Sequence, residues 1–215
     1  MKFELNKLHL ADCMEGMKTF PDKYFDLAIV DPPYGIGVNK MQLGNGKNKI
    51  YRGKEDWDAK PPPMEYFNEL RRVSGNQVIW GGNNMTEQNP LNSTCWIVWD
   101  KGTGDNDFAD CELAYTSFNK TVRIFRYSWV GANAKEKGGK VRIHPTQKPI
   151  ALYKWILKNY AKPDFKIIDT HVGSGSSIIA FLDYGCDWIG FEIDEDYHKA
   201  ASERIEIHKQ QLKLF

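Results

Sequence analysis

Phe165-Lys166-Ile167-Ile168-Asp169 is a short apolar run closed by an acid, and Ser176 to Tyr184 follows with helical spacing before Gly185. Trp188-Ile189-Gly190-Phe191-Glu192 is a second such run, after which Asp194 caps a long helix directed toward Leu212. This β-α-β-α order is the strongest constraint on the fold. Two strands joined through a helix pair in parallel, with a right-handed crossover. The expected class is α/β, a doubly wound and mostly parallel sheet with helices on both faces. Upstream, Phe25 to Val30, Gln77 to Trp80, Cys95 to Trp99, Leu113 to Phe118 and Val122 to Tyr127 read as further strands. Met64, Phe67, Leu70 and Val73 have helical spacing, as does the segment from Pro149 to Tyr160, where the proline suits a first helical turn.

A chain of 215 residues with 41% apolar and 27% charged residues is expected to form one domain, residues 1–215. No run approaches about 18 consecutive apolar residues, which excludes an ordinary spanning helix. Met1 to Asn6 lack the apolar core of a signal peptide, and Cys13, Cys95, Cys111 and Cys186 form no C-x-x-C pair. A cytoplasmic setting with reduced thiols and no metal site is the expectation. Two stretches, 35–63 and 128–145, resist assignment to helix or strand and are expected to be mobile, functional loops.

The net charge of +1 hides an asymmetry. Lys120 to Arg142 holds seven basic residues against Glu136, and Met41 to Lys54 holds four with no acid. From Asp183 to Glu203 the balance reverses, with seven acids against Lys199. One pole would attract phosphates and the other would repel them.

Asp31-Pro32-Pro33-Tyr34 closes the apolar run Leu27 to Val30. Two prolines fix the backbone and remove two N–H donors, which leaves carbonyls that only accept hydrogen bonds. A carboxylate, acceptor carbonyls and one aromatic ring together suit a planar ligand bearing an amino group, such as a nucleobase. The residues Asp169-Thr170-His171-Val172-Gly173-Ser174-Gly175-Ser176 lie where a strand turns into a helix, at the sheet edge where α/β folds bind ligands. A dinucleotide fingerprint needs a third glycine at the position of Ile178, and no Gly-Lys-Ser/Thr follows, so nicotinamide and P-loop readings are disfavoured. Glu192, about 20 residues on, stands where an acid accepts hydrogen bonds from a ribose diol.

These two motifs, with His144-Pro145-Thr146-Gln147-Lys148-Pro149 between them, resemble the amino-group DNA methyltransferases that use S-adenosylmethionine. Their order resembles the beta group of that family, in which the catalytic tetrapeptide precedes the cofactor glycines. Asp12-Cys13, upstream of Phe25-Asp26-Leu27, matches the family's habit of placing an Asp near the cofactor adenine.

The resemblance implies a Rossmann-like methyltransferase fold and assigns roles. Asp31 and the Pro32 carbonyl accept hydrogen bonds from the target amine, Pro33 stiffens the turn, and Tyr34 stacks on the flipped-out base. Gly173 and Gly175, with Asp169, His171, Ser174 and Ser176 beside them, let the cofactor approach, and Asp31 borders it. Glu192 holds the ribose, Asp12 and Cys13 meet the adenine, and Thr146 with Lys148 hold the amino-acid end. His171 departs from the family's usual Pro-Phe and is read as a packing residue. Asp rather than Ser at position 31 implies adenine N6 as the acceptor. Cytosine N4, an RNA or protein acceptor, and an inactive nucleic-acid-binding relative stay as alternatives. DNA is the implied partner, and the expected phosphate contacts are Lys47, Lys49, Arg52, Lys54, Arg123, Arg126, Lys135 and Lys137. A homodimer and a restriction endonuclease partner stay open.

Overall fold

A computed structural model describes residues 3–37, 57–89, 92–103, 109–129, 143–144 and 146–212. Lys47, Lys49, Arg52, Lys54, Lys135 and Lys137 lie outside the described residues, as does most of the two expected loops. In chain order the elements are β1 (Lys7–Leu10), α1 (Cys13–Met17), β2 (Phe25–Val30), α2 (Met64–Val73), β3 (Ser74–Trp80), β4 (Trp96–Asp100), β5 (Cys111–Thr116), β6 (Arg123–Arg126), α3 (Ile150–Tyr160), β7 (Lys166–Asp169), α4 (Ser176–Tyr184), β8 (Asp187–Glu192) and α5 (Glu195–Leu212). A 3₁₀ turn at Gly82–Asn84 follows β3.

The strands form one eight-stranded sheet in the order β1-β8-β7-β2-β3-β5-β4-β6. From β1 to β3 every neighbouring pair is parallel. Strand β5 then runs antiparallel to both β3 and β4, and β6 pairs parallel with β4. The sheet is the mostly parallel, Rossmann-like one expected, with a reversed strand near one end.

Strand β2 shows why helices cover both faces. Its side chains alternate across the sheet. Leu27 and Ile29 join a core that includes Leu152 and Ile156 of α3, Ile178 and Phe181 of α4, and Ala201 and Ile205 of α5. Ala28 and Val30 join a second core with Met17 of α1 and Tyr66, Phe67 and Leu70 of α2. A strand buried on both sides reads as an unbroken apolar run, which is what Leu27 to Val30 is. Trp80 and Trp99 are buried in the first core, as their strand positions predict, while Trp96 is half-buried. Trp129 is also buried, its indole N–H donating to the Gln147 carbonyl at 2.7 Å.

The sequence reading left β1 and α1 unassigned. Asp12 ends the approach to α1 as its N-cap, its Oδ1 accepting from the Met14 N–H at 2.8 Å. Helix α1 lies against β8 so closely that a Cβ on Gly16 would fall 2.3 Å from the Phe191 ring.

Candidate active site

Because β1, β8, β7 and β2 are parallel neighbours, their C-terminal ends share one edge of the sheet. That edge gathers Asp12 after β1, Glu192 ending β8, Asp169 ending β7 and Asp31 after β2. Motifs far apart in sequence therefore converge through strand order, as the edge rule for α/β sheets requires.

On the β2 side, Asp31 is the centre of a charge cluster built around the buried Lys148. Its Oδ1 accepts the Tyr34 hydroxyl at 2.8 Å, and its Oδ2 accepts Lys148 Nζ at 2.5 Å. Lys148 is 3% exposed and also lies 3.0 Å from the Tyr34 hydroxyl and 3.2 Å from Glu112 Oε2. The Tyr34 hydroxyl is 3.4 Å from that same Glu112 oxygen. Lys101 completes the set, 2.6 Å from Glu112 Oε1. Two carboxylates face two ammonium groups, which is how buried charges become tolerable. Burial opposes the Lys148 charge, but Asp31 and Glu112 outweigh it and hold the ammonium above the usual lysine range. Burial likewise opposes Glu112, and the two lysines hold its carboxyl below the usual range. Burial pushes Asp31 up, with Lys148 pulling the other way.

The tetrapeptide loop is fixed from outside by Asp58. This 1% exposed carboxylate accepts the Tyr34 N–H at 2.7 Å and the Gly35 N–H at 3.0 Å. Gly81, at φ +67° just past β3, gives the Tyr34 ring its seat, since a Cβ there would meet the ring at 2.3 Å. Pro32 is buried, and Pro33 and Tyr34 are half-buried at the edge.

On the β7 side, Asp169 orders the glycine turn. Its Oδ2 accepts the Ser177 hydroxyl at 2.5 Å and its Oδ1 the His171 N–H at 2.9 Å. Burial raises its carboxyl to about 7. Gly173 (φ +52°) and Gly175 (φ +77°) are left-handed, a conformation glycine adopts without a side-chain clash. The Gly173 N–H donates to Glu192 Oε2 at 2.8 Å, and Glu192 Oε1 accepts the Asp194 N–H at 2.9 Å. Arg204 Nη1 binds the Ser174 carbonyl at 2.6 Å and lies 3.0 Å from the Ser176 hydroxyl, which in turn lies 3.1 Å from the Ser174 hydroxyl.

His171 sits in a polar chain, its Nδ1 2.9 Å from the Thr170 hydroxyl, which is 2.6 Å from the Tyr66 hydroxyl. Burial lowers its imidazole to about 4, so it is neutral at physiological pH. His144 packs on Tyr197 at 4.3 Å and would be 3.5 Å from a Cβ on Gly173. Burial, then Lys148, lowers it to about 3. Thr146 meets this ring, its hydroxyl 3.0 Å from His144 Nδ1.

The edge thus brings together Asp12, Cys13, Asp31, Tyr34, Thr146, Lys148, Asp169, His171, the glycine turn and Glu192. Lys148, expected at the amino-acid end of the cofactor, has its ammonium on Asp31. Arg123 and Arg126 bound β6, the outer strand, with β3, β5 and β4 between it and β2. At about 4.8 Å per strand that is roughly 19 Å from the tetrapeptide strand. Arg126 also pairs with Asp100 at 3.3 Å. Sequence reasoning missed Glu112 and Asp58. A single acid in the otherwise strand-like segment at β5 was the available signal for Glu112, and Asp58 had none.

Residues 83–203, more than half of the chain, match the N6/N4 DNA methylase family, and the chain belongs to that family. It is a DNA methyltransferase, and its cofactor is S-adenosylmethionine. YubD of Escherichia coli (strain K12), a protein named as a methylase, is 25% identical over 91% of this chain and 88% of its own. The type II methyltransferase M.HinfI of Haemophilus influenzae is 24% identical over 94% and 68%. Among solved structures, M1.HpyAVI in complex with S-adenosylmethionine superposes with a TM-score of 0.59 at 19% identity, covering 93% of this chain and 98% of that one. The cytosine-N4-specific PvuII DNA methyltransferase gives 0.60 at 12% identity, covering 95% and 91%. Both structures share the fold.

The residues at the edge fit this cofactor. Gly173 and Gly175 hold the turn left-handed, a Cβ at the first facing His144 and at the second Ala201 and Ile205 of α5. The Glu192 carboxylate, after accepting the Gly173 and Asp194 N–H groups, keeps acceptor capacity for a diol.

Proposed function

We infer that the chain methylates the N6 amine of adenine in DNA. The observation that carries this reading is the position of Asp31: a half-buried carboxylate just past the end of β2, one strand from the glycine turn after β7. The bound cofactor supplies an electrophilic methyl on sulfonium. The chain's own task is to present the acceptor nitrogen to it. An exocyclic amine is a poor nucleophile because its lone pair is delocalised into the ring. Asp31 and the Pro32 carbonyl accept its two hydrogens and favour the geometry in which that lone pair is free. In-line placement alone is worth roughly 7–11 kcal/mol in favourable cases.

Tyr34 stacks on the base after it leaves the duplex, which offsets an unstacking cost of a few kcal/mol by about 1–3. Gly173, Ser174, Gly175 and Ser176 receive the cofactor, with Asp169 and His171 shaping the turn. Glu192 binds the ribose, Asp12 and Cys13 border the adenine, and Thr146 with His144 covers the amino-acid end. The four cationic residues of 47–54, with Arg123, Arg126, Lys135 and Lys137, hold DNA phosphates. We read the chain as one domain working in the cytoplasm, in the setting of a type II modification enzyme. Asp rather than Ser at position 31 supports adenine over cytosine. Nucleoside mass spectrometry of DNA methylated by the purified protein tests this: N6-methyladenine is the expected product, and N4-methylcytosine alone would overturn the choice of base.

A further inference from the structure

Each oxygen of Asp31 already accepts one strong donor, Oδ1 the Tyr34 hydroxyl and Oδ2 the Lys148 ammonium, and keeps one lone pair. An incoming amine hydrogen on that lone pair shares the oxygen with the resident donor and weakens the bond already there. A donor loosened from Asp31 is best served by a second acceptor within reach, because a weakened bond at this depth is costly. Glu112 Oε2 is that acceptor, 3.4 Å from the hydroxyl and 3.2 Å from the ammonium, so both donors reach it by small shifts. Lys101 anchors the other oxygen of Glu112 at 2.6 Å and keeps the carboxylate in place. Glu112 comes from β5, the strand that runs antiparallel to β3, and touches no residue of the glycine turn through any of these bonds.

We propose that Glu112 is a positioning residue of the transfer reaction, the second acceptor onto which the Tyr34 hydroxyl and the Lys148 ammonium move when the target amine takes an oxygen of Asp31. This rests on the reading of Asp31 as the acceptor of that amine. The groups facing the ammonium are Asp31 and Tyr34 after β2, the Trp80 ring of β3, Glu112 of β5 and the neutral His144. Lys101 and Tyr153 stand behind them, Lys101 on Glu112 and Tyr153 within electrostatic reach of Asp31. Losing Glu112 removes one of the two anions that hold the Lys148 proton, so that proton departs at lower pH.

The test is single-turnover methyl transfer across pH with Glu112→Gln and Glu112→Asp. Glu112→Gln is expected to lower the transfer rate about 10²-fold, the usual scale for a misplaced reacting group. Its alkaline limb moves to lower pH, while S-adenosylhomocysteine affinity, read by calorimetry, stays at the wild-type value. Glu112→Asp recovers part of the rate and returns the limb toward wild type. Lys101→Met, which leaves the inner cluster intact, moves the acid limb to higher pH, because Glu112 then protonates more readily. This second variant keeps the proposal testable if Glu112→Gln does not fold. Wild-type rate and limbs in a folded Glu112→Gln protein overturn the proposal, as does loss of cofactor affinity with unmoved limbs. An active Asp31→Ala protein would instead overturn the reading of Asp31 itself.

Discussion

Asp31 is where burial and chemistry meet most directly. Removing one partner of a buried ion pair costs about 3–5 kcal/mol when the other is left alone. Lys148 is not left alone in Asp31→Ala, because Glu112 stands 3.2 Å away. That protein is therefore expected to fold, with a lowered melting temperature, and to bind S-adenosylhomocysteine within about tenfold of wild type while transferring no methyl, since the carboxylate serves the acceptor and not the cofactor. Calorimetry and a methylation assay on one preparation check both halves, and measurable turnover would defeat the expectation. Asp31, Tyr34, Gly173 and Glu192 were legible in sequence because each belongs to a short motif with its own spacing. Glu112 and Asp58 were not. Each acts on the tetrapeptide from across a long sequence interval, and only the β3–β5 pairing and the return of the chain at residue 58 bring them there.

Elements followed the same division. Strand β2 and helices α2 and α4 have the bounds their periodicity implies. Strand β1 has four residues and α1 five, too few for a period to emerge. The antiparallel insertion of β5 between β3 and β4 also escaped the reading, because pairing order has no local signature. Yet α1 is no minor element. It packs Gly16 on Phe191, one residue before Glu192. Gly16→Ala would set a methyl 2.3 Å from a fully buried ring. Overpacking of this kind costs about 1–3 kcal/mol. Urea denaturation of Gly16→Ala should show that loss, and an unchanged midpoint would mean the helix shifts without penalty.

At the scale of the whole molecule, the charge asymmetry of the sequence bears on how DNA is held. In sequence the basic segments 47–54 and 120–142 flank the tetrapeptide and Thr146, and we propose that they form a phosphate-binding rim. Changing Arg52, Lys135 and Lys137 together to Ala should weaken binding to every DNA sequence alike. Each lost phosphate contact should flatten the slope of log K against log salt by about 0.9 on duplex DNA. Fluorescence anisotropy across a salt series measures this, and a wild-type slope would mean that the backbone contacts lie elsewhere. Asp58 has a consequence of another kind. Its carboxylate takes the N–H groups of Tyr34 and Gly35, and its carbonyl takes the Gly37 N–H at 3.1 Å, so the chain departs and returns at a single clamp. Residues 37 and 58 are thereby held side by side, and any chain added between them starts and ends at one hydrogen-bonded pair. Closing a flexible insertion across that pair costs only about 0.6 kcal/mol for each doubling of its length. An insertion between 37 and 58 is therefore expected to leave the contacts of Asp58 to Tyr34 and Gly35 in place, and retained methyl transfer in such an insertion variant would check it.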